Sequence, residues 1–172
     1  MMSSFDRAFD YMLENEGGYG NTPGDKGGAT KYGITIATLS RWRGYSVSIK
    51  EVSEMSLAEA KEIYYEWYWM ANDLLDVGSD AISTALFDIG VVRGLSVPIM
   101  YAQDIVGVPH DGHNGPVTLK ALNAYDPDLF IEHFALRAEN GFRAIARRNP
   151  TQEKFLNGWV KRAKRLRTLK TL

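Results

Sequence analysis

The stretch Glu14-Asn-Glu-Gly-Gly-Tyr-Gly-Asn-Thr-Pro-Gly-Asp-Lys-Gly-Gly-Ala-Thr-Lys-Tyr-Gly-Ile-Thr35 decides how the N-terminal part of the chain folds. It joins an amphipathic pattern to a segment that is dense in glycine. Upstream, apolar residues recur at helical spacing, and Glu16 lies on the same stripe. The two glycines that follow are residues that commonly end helices. The sequence therefore predicts a helix from Ser4 to about Glu16, with a carboxyl group at its end beside the core.

The position predicted for Glu16 has a chemical consequence. A carboxyl on a core-facing stripe loses water, which disfavours its charged form, and the negative end of the helix dipole acts in the same direction. Glu16 is therefore a candidate general acid, protonated near neutral pH. The alternative is an ordinary surface glutamate at a helix end, which is how we interpret Glu14.

The glycine-rich segment excludes a second helix and predicts tight turns or a small irregular hairpin. Such a segment can bend back over the helix end and bring Asp25 close to Glu16. Two carboxyls in different environments, one protonated and one ionised, are the requirement of glycoside hydrolysis. The hydroxyl of Thr30 would help to hold the attacking water.

Two other interpretations of this segment stay open. Glycine, Asp and Asn are ordinary turn residues, so the pattern also fits a loop without catalytic function. Asp25 and loop carbonyls would bind calcium, but the repeated acidic ligands of a calcium loop are missing, and we expect no metal. The three histidines do not have the spacing of a zinc site, and no cofactor is expected.

The residues Glu16-Gly-Gly-Tyr19, followed by Asp25-x-Gly-Gly-x-Thr30-x-x-Gly-Ile-Thr35, resemble glycoside hydrolase family 108, the N-acetylmuramidases of phages and prophages. The resemblance implies hydrolysis of the β-1,4 bond between N-acetylmuramic acid and N-acetylglucosamine in peptidoglycan, with Glu16 as the catalytic glutamate. It also implies a mainly helical fold of the lysozyme superfamily with a small glycine-rich loop or hairpin at the active site. The spacing is similar to that of phage lysozymes with a Glu, Asp and Thr triad, except that four residues instead of five separate Asp25 from Thr30.

A second motif, Asp111-Gly-x-x-Gly-Pro-x-Thr118, resembles small peptidoglycan-binding modules and the C-terminal region that accompanies the family 108 segment. The motif consists mostly of turn and helix-capping residues. We therefore expect a catalytic segment over residues 1–78 and a helical peptidoglycan-binding segment over residues 79–172. No Ser/Pro-rich hinge separates them, so one compact unit is expected.

Several further residues are candidates for substrate contact. Ser56 and Glu59 have capping-box spacing and open a helix, and Tyr65 and Trp69 lie opposite its apolar stripe. These two aromatics either stack on sugar rings in a glycan cleft or pack against another helix. Asp88 is either a cleft residue or a polar position of its helix. The candidates for substrate binding are Tyr19, Tyr32, Tyr65, Trp69 and Asp88.

Composition limits the classes of function. The chain has 172 residues, of which 45% are hydrophobic and 24% charged, so it is long and apolar enough for a globular core. The absence of cysteine excludes disulfides and thiol catalysis. The N-terminus has neither a basic start nor an apolar run, so we expect no signal peptide. We therefore expect the protein to stay in the cytoplasm until it is released to the wall. A phage holin would provide that release.

The C-terminal part is strongly basic. From Gly141 onward the sequence has ten basic residues and one acidic residue, Glu153, although the net charge of the whole chain is only −1. We expect the last helix to turn Phe155 and Trp159 toward a core and its basic residues toward solvent. Attraction to wall polymers or to a membrane surface is a secondary expectation, and nucleic acid is not an expected partner because no recognition motif is present.

Three functional hypotheses follow. The first is a peptidoglycan muramidase that acts as a monomer on glycan strands, with Glu16 as acid, Asp25 orienting water and Thr30 assisting. The second is a lytic transglycosylase, in which one glutamate suffices and the product is a 1,6-anhydro sugar. The third is a non-catalytic wall-binding or secretion-associated protein that keeps the fold without the activity.

Overall fold

Helices account for most of the structure. The computed structural model describes residues 1–16, 20 and 28–170. The helices are α1 (Ser4–Asn15), α2 (Ile36–Arg43), α3 (Ile49–Glu54), α4 (Leu57–Tyr64), α5 (Asp80–Arg93), α6 (Ser96–Val106), α7 (Pro116–Ala124), α8 (Pro127–Arg148) and α9 (Leu156–Arg165). A π-helical turn (Tyr65–Trp69) and short 3₁₀ turns (Met70–Asn72, Leu74–Asp76, Pro150–Phe155 and Leu166–Leu169) lie between or after them. The prediction of a mainly helical fold is confirmed.

Side-chain caps set where several helices begin. Ser3 and Asp6 form a complete capping box at α1, so the first helix begins where the sequence predicts. At α4, Ser56 accepts a hydrogen bond from the Glu59 backbone N–H at 3.1 Å, as its spacing predicts. The Glu59 carboxylate does not return to the cap, because it accepts two hydrogen bonds from Arg43 instead.

Helix α5 lies at the centre of the molecule. Its residues from Ala81 to Gly90 are all buried, so this helix is enclosed on every side, as expected for one that is apolar nearly all round. Helix α1 packs against it through an apolar face that includes Phe5, Phe9 and Met12, while α6 and α8 contact it from the C-terminal part. Helix α5 thus joins the two sequence segments in one core.

A two-stranded antiparallel ribbon follows the glycine-rich segment. Strand β1 (Thr30–Lys31) pairs with β2 (Ile34–Thr35) in the register Thr30 opposite Thr35 and Lys31 opposite Ile34. The two turn residues, Tyr32 and Gly33, have φ values of 52° and 79°, which is the left-handed geometry of a tight type I′ hairpin. The small hairpin that the sequence predicts is therefore present.

The C-terminal segment is organised by side-chain hydrogen bonds around its turn motif. Gln103 is fully buried, its amide nitrogen donates to Asp111 and Thr118, and its amide oxygen accepts the Gly112 backbone N–H at 2.9 Å. The motif therefore fixes the path of the chain between α6 and α7.

Within the described ranges, no helix combines the length and the apolarity that crossing a membrane requires.

Candidate active site

Glu16 lies where α1 leaves the core. Its backbone N–H still donates to the Met12 carbonyl at 3.2 Å, but its own backbone is extended, so the helix ends at this residue. Met12, one turn earlier, is completely buried, whereas the Glu16 side chain is 21% exposed. The carboxyl group is thus anchored to the core and still reaches solvent.

The guanidinium of Arg162, from α9, holds this carboxyl. Its Nη1 donates to Glu16 Oε1 at 2.5 Å. Its Nε and Nη2 donate to the two carboxylate oxygens of Asp88, on α5, at 2.9 and 2.8 Å. The planar fork of arginine suits this two-point contact, which fixes direction as well as distance. One guanidinium therefore bridges a fully buried aspartate and the glutamate at the end of α1.

Burial dominates the electrostatics of this cluster. Burial raises the pKa of Asp88, and the charge and hydrogen bonds of Arg162, together with the Asn15 amide, act against that rise. Burial also disfavours the charge on Arg162, yet its contacts with Asp88 and Glu16 raise its pKa overall, so it stays cationic. With both carboxyls ionised, two negative charges face one positive charge.

The turn of the ribbon closes against the Glu16 carboxyl. A Cβ atom placed on Gly33 would lie 2.5 Å from Tyr64 Oη and 3.2 Å from Glu16 Oε2, so only glycine fits here without displacement. The Tyr64 hydroxyl donates to the Tyr32 carbonyl at 3.0 Å. Burial raises the pKa of Tyr64 well above its usual value and the charge of Glu16 adds to this, so the hydroxyl keeps its proton.

A groove of about 740 Å³ opens beside Glu16. The end of α1 and the Gly33 turn contribute one side, and α9 with the 3₁₀ turn before it contributes the other. Its lining residues are Glu14, Asn15, Glu16, Gly33, Val91, Val92, Lys154, Phe155, Gly158, Trp159, Lys161, Arg162 and Arg165. The Glu16 carboxyl is therefore part of the lining of an open groove.

Two aromatic residues predicted for a glycan cleft, Tyr65 and Trp69, are not among the described residues that line this groove. Trp69 is fully buried, with ring centroids 5.5 Å from Phe5 and 5.8 Å from Phe87, so the packing alternative holds for it. Tyr65 is 39% exposed, but its ring lies against Phe5 on another surface. Asp88 is also fully buried, and no part of it reaches the groove.

The remaining predicted residues belong to the glycine-rich segment. Asp25 and Tyr19 lie outside the described residues. Thr30 exchanges backbone hydrogen bonds with Gly20, each 2.8 Å long, and Tyr32 occupies the ribbon turn; neither is among the groove-lining residues. Their catalytic and binding roles stay predictions. Within the described ranges, no group of three or more His, Asp or Glu side chains is arranged to bind a metal.

Sequence reasoning missed the contribution of α9. Arg162 was expected to face solvent with the other basic residues, but it is only 8% exposed. The sequence contained a signal for this burial. Arg162 follows Trp159 by three residues and precedes Leu166 by four, which places it on the apolar stripe of the last helix. A charge on such a stripe requires a buried partner.

Comparison with known proteins agrees with this arrangement. The family model for glycosyl hydrolase 108 matches residues 9–94, and a model described as a predicted peptidoglycan domain matches residues 97–164. A solved structure of Brucella abortus SagA is 33% identical, with a TM-score of 0.82, and the match covers 96% of this chain and 92% of that chain. No curated protein sequence matches.

The first family model ends at the last turn of α5, and it includes both Glu16 and Asp88. The second includes Arg162, so the cluster around Glu16 draws on both matched regions. On the family match and the structural similarity over nearly its whole length, the chain belongs to glycosyl hydrolase family 108 and is a glycoside hydrolase that acts on peptidoglycan.

Proposed function

We propose that the enzyme is an N-acetylmuramidase, which hydrolyses the β-1,4 bond between N-acetylmuramic acid and N-acetylglucosamine, with Glu16 as the general acid. One observation carries this proposal. The Glu16 carboxyl is held at one oxygen by Arg162 and lines a groove of about 740 Å³. Such a group can deliver a proton to a glycosidic oxygen from a fixed position.

The hydrogen bonds favour one oxygen of Glu16 as the one that would carry the proton. Oε1 of Glu16 accepts an N–H from Arg162, so a proton on Oε1 would oppose the donor. The proton therefore belongs on Oε2, the oxygen beside the Gly33 turn that lines the groove. Arg162 thus acts as a positioning residue for Glu16, and the buried carboxylate of Asp88 orients Arg162 in turn.

Charge balance supports the same role. The two carboxyls of Glu16 and Asp88 share one guanidinium, so uptake of a single proton makes the cluster neutral. Glu16 is the member that reaches the groove, so it is the carboxyl from which a proton can pass to a leaving oxygen. The resulting glutamate anion is stabilised by the contact with Arg162 that it already makes.

In this mechanism Asp25 supplies the second carboxyl, which orients or deprotonates the attacking water, and Thr30 assists it. An inverting reaction requires that the two carboxyls stand roughly 6.5–9.5 Å apart, with the water between Asp25 and the sugar. Inversion at the anomeric carbon is the stereochemical outcome that this role of Asp25 predicts.

Replacement of Glu16 by Gln tests the proposal, since glutamine keeps the shape of the side chain without a dissociable proton. We expect wall lysis in a zymogram to fall by at least roughly a hundredfold. The matched control is Glu14→Gln, which alters a groove glutamate two residues away and should stay close to wild type. Full activity of Glu16→Gln would exclude the assignment.

The products test the bond that is cut. After borohydride reduction, a muramidase leaves reduced muramic acid at the new ends, whereas reduced glucosamine would assign the enzyme to the other β-1,4 bond. Mass spectrometry separates hydrolysis from transglycosylation, because a 1,6-anhydro product is lighter by one water. We expect reduced muramic acid and no anhydro product.

A further inference from the structure

Two lysines that line the groove form no ion pair with a carboxylate of the described residues. Lys154 and Lys161 are both exposed and line the same wall as Phe155. The other groove charges are paired, Glu16 with Arg162 and Glu14 with Arg165. Within the described part of the chain, no Asp or Glu forms an ion pair with either lysine. Among the described residues of the groove, these two ammonium groups are therefore the charges that no carboxylate pairs with.

We propose that Lys154 and Lys161 bind carboxylates on the muramic acid units of the glycan strand, either that of the lactyl group or those of the attached peptide. This inference rests on the proposed function. It concerns specificity, because strands made only of N-acetylglucosamine have no such carboxylates. The lysines would thus distinguish peptidoglycan from a neutral polymer with the same backbone linkage.

Aromatic side chains line the groove together with the two lysines. Phe155 is 40% exposed, and its ring centroid lies 5.7 Å from that of Trp159. Trp159 in turn stacks on Phe142 at 5.3 Å, which fixes the aromatic pair against α8. Exposed aromatic surface with an ammonium group over one ring complements a sugar that has an apolar face and an anionic substituent.

The location of the lysines also fits a binding role and not a catalytic one. Lys161 precedes Arg162 in sequence, but successive helical residues point about 100° apart, so it is exposed while Arg162 is buried. Lys154 is in the 3₁₀ turn, with its ammonium 5.0 Å from the centre of the Phe155 ring. Neither contacts Glu16, so their replacement leaves the Glu16 cluster intact.

The test compares binding of the full-length Lys154→Gln/Lys161→Gln variant and the wild type to insoluble peptidoglycan by co-sedimentation, in the cold and at short times. We expect affinity to fall by about fivefold, since two exposed ion pairs each contribute modestly. The control is Lys164→Gln, an exposed residue of the same helix that does not line the groove, and it should retain wild-type binding.

Chemical amidation of the wall carboxylates supplies the second half of the test. Wild-type binding should fall by the same factor on the amidated wall, and the double variant should lose nothing further. An equal loss of affinity in Lys164→Gln would overturn the proposal. So would a difference between the wild type and the double variant that persists on the amidated wall, because it would assign the lysines to wall phosphates. Because the readout is binding, failure here is distinct from failure of the Glu16→Gln test.

Discussion

Two ion pairs connect α9 to the end of α1, and they differ in burial. Arg162 is 8% exposed and joins Glu16 to the fully buried Asp88, whereas Arg165, 24% exposed, joins Glu14, whose side chain is 69% exposed. Both pairs bring together residues about 150 positions apart in sequence. The difference teaches that the same pairing of residue types fixes a carboxyl against a buried cluster in one place and makes a more exposed surface contact in the other.

The largest expected effect comes from breaking the buried pair. Arg162→Met leaves Asp88 without its counter-charge in the core, which should cost about 3–5 kcal/mol in the free energy of unfolding and abolish lysis. Arg165→Met removes an exposed ion pair, and it also removes the contact between the Arg165 guanidinium and the Tyr11 ring, whose centre is 3.8 Å away. It should lower the free energy of unfolding by only about 1 kcal/mol. Urea denaturation measures both values.

The pH dependence of Arg162→Met provides an internal check. Burial raises the pKa of Asp88, so in the absence of Arg162 the folded protein binds a proton that the unfolded chain has released. The stability of the variant should therefore increase as the pH is lowered toward the ordinary carboxyl range. If the two methionine variants lost the same free energy of unfolding, and Arg162→Met did not become more stable at lower pH, the contrast between the two ion pairs would be contradicted.

A second comparison isolates the crowding around Glu16. Gly33 and Gly44 both have φ of 79°, but a Cβ on Gly44 would meet nothing within 4 Å, whereas one on Gly33 would press on Tyr64 and Glu16. Both alanine variants should lose roughly 1–2 kcal/mol from backbone strain. Only Gly33→Ala should also lose activity, by up to roughly a hundredfold, because it displaces the Glu16 carboxyl.

Stability and lysis rates measured on the same preparations separate these effects. Gly44→Ala should lyse walls at nearly the wild-type rate under conditions in which both proteins are folded. If the two variants lost activity equally, contact between the ribbon turn and Glu16 would have no part in catalysis.

The smallest effect concerns an ion pair of intermediate burial. A hydrogen bond from Arg43 is the main cause that lowers the pKa of Glu59, and the two side chains are 23% and 21% exposed. An acid whose pKa is lower in the folded protein than in the unfolded chain stabilises the fold at pH values above the unfolded-chain pKa. This contribution is lost as the pH falls through the folded-state pKa. Glu59→Gln should therefore be less stable than wild type by about 1 kcal/mol at neutral pH, with a smaller difference below pH 4.5. A difference in unfolding free energy that stays constant across this range would refute the assignment.

Local signals in the sequence explain why the first helix could be predicted. Ser3 and Asp6 cap its start, and the glycines that follow Glu16 in the sequence predict its end, so both signals lie within a few residues of the boundaries. The position of Glu16 at the end of a buried stripe follows from the same short-range pattern. Arg162 is different, since its partners Asp88 and Glu16 are 74 and 146 residues away.

The aromatic residues show how a local pattern fails. The α-helical spacing after Ser56 places Ala60, Ile63 and Tyr64 in the core, as observed. From Tyr65 to Trp69 the chain forms a π-helical turn, whose wider winding changes the direction of each later side chain. Trp69 consequently points into the core, although α-helical spacing predicts the opposite face.

The converse error occurs at the other end of the chain. Phe155 and Trp159 were expected to close the core; Trp159 does pack against it, but both residues line the groove, and Phe155 is 40% exposed. Periodicity identifies which residues share a face, but it does not identify what covers that face. Here Trp159 stacks on Phe142 at one side and leaves the groove side open.

The most direct test of the central claim is the initial rate of wall clearing by Glu16→Gln and Glu14→Gln, measured side by side at equal concentrations of folded protein. These glutamates are two residues apart and line the same groove, but only Glu16 contacts the buried cluster. A loss of at least roughly a hundredfold in Glu16→Gln, with Glu14→Gln near wild type, is the predicted result. Similar rates for the two variants would contradict the assignment of Glu16 as the proton donor.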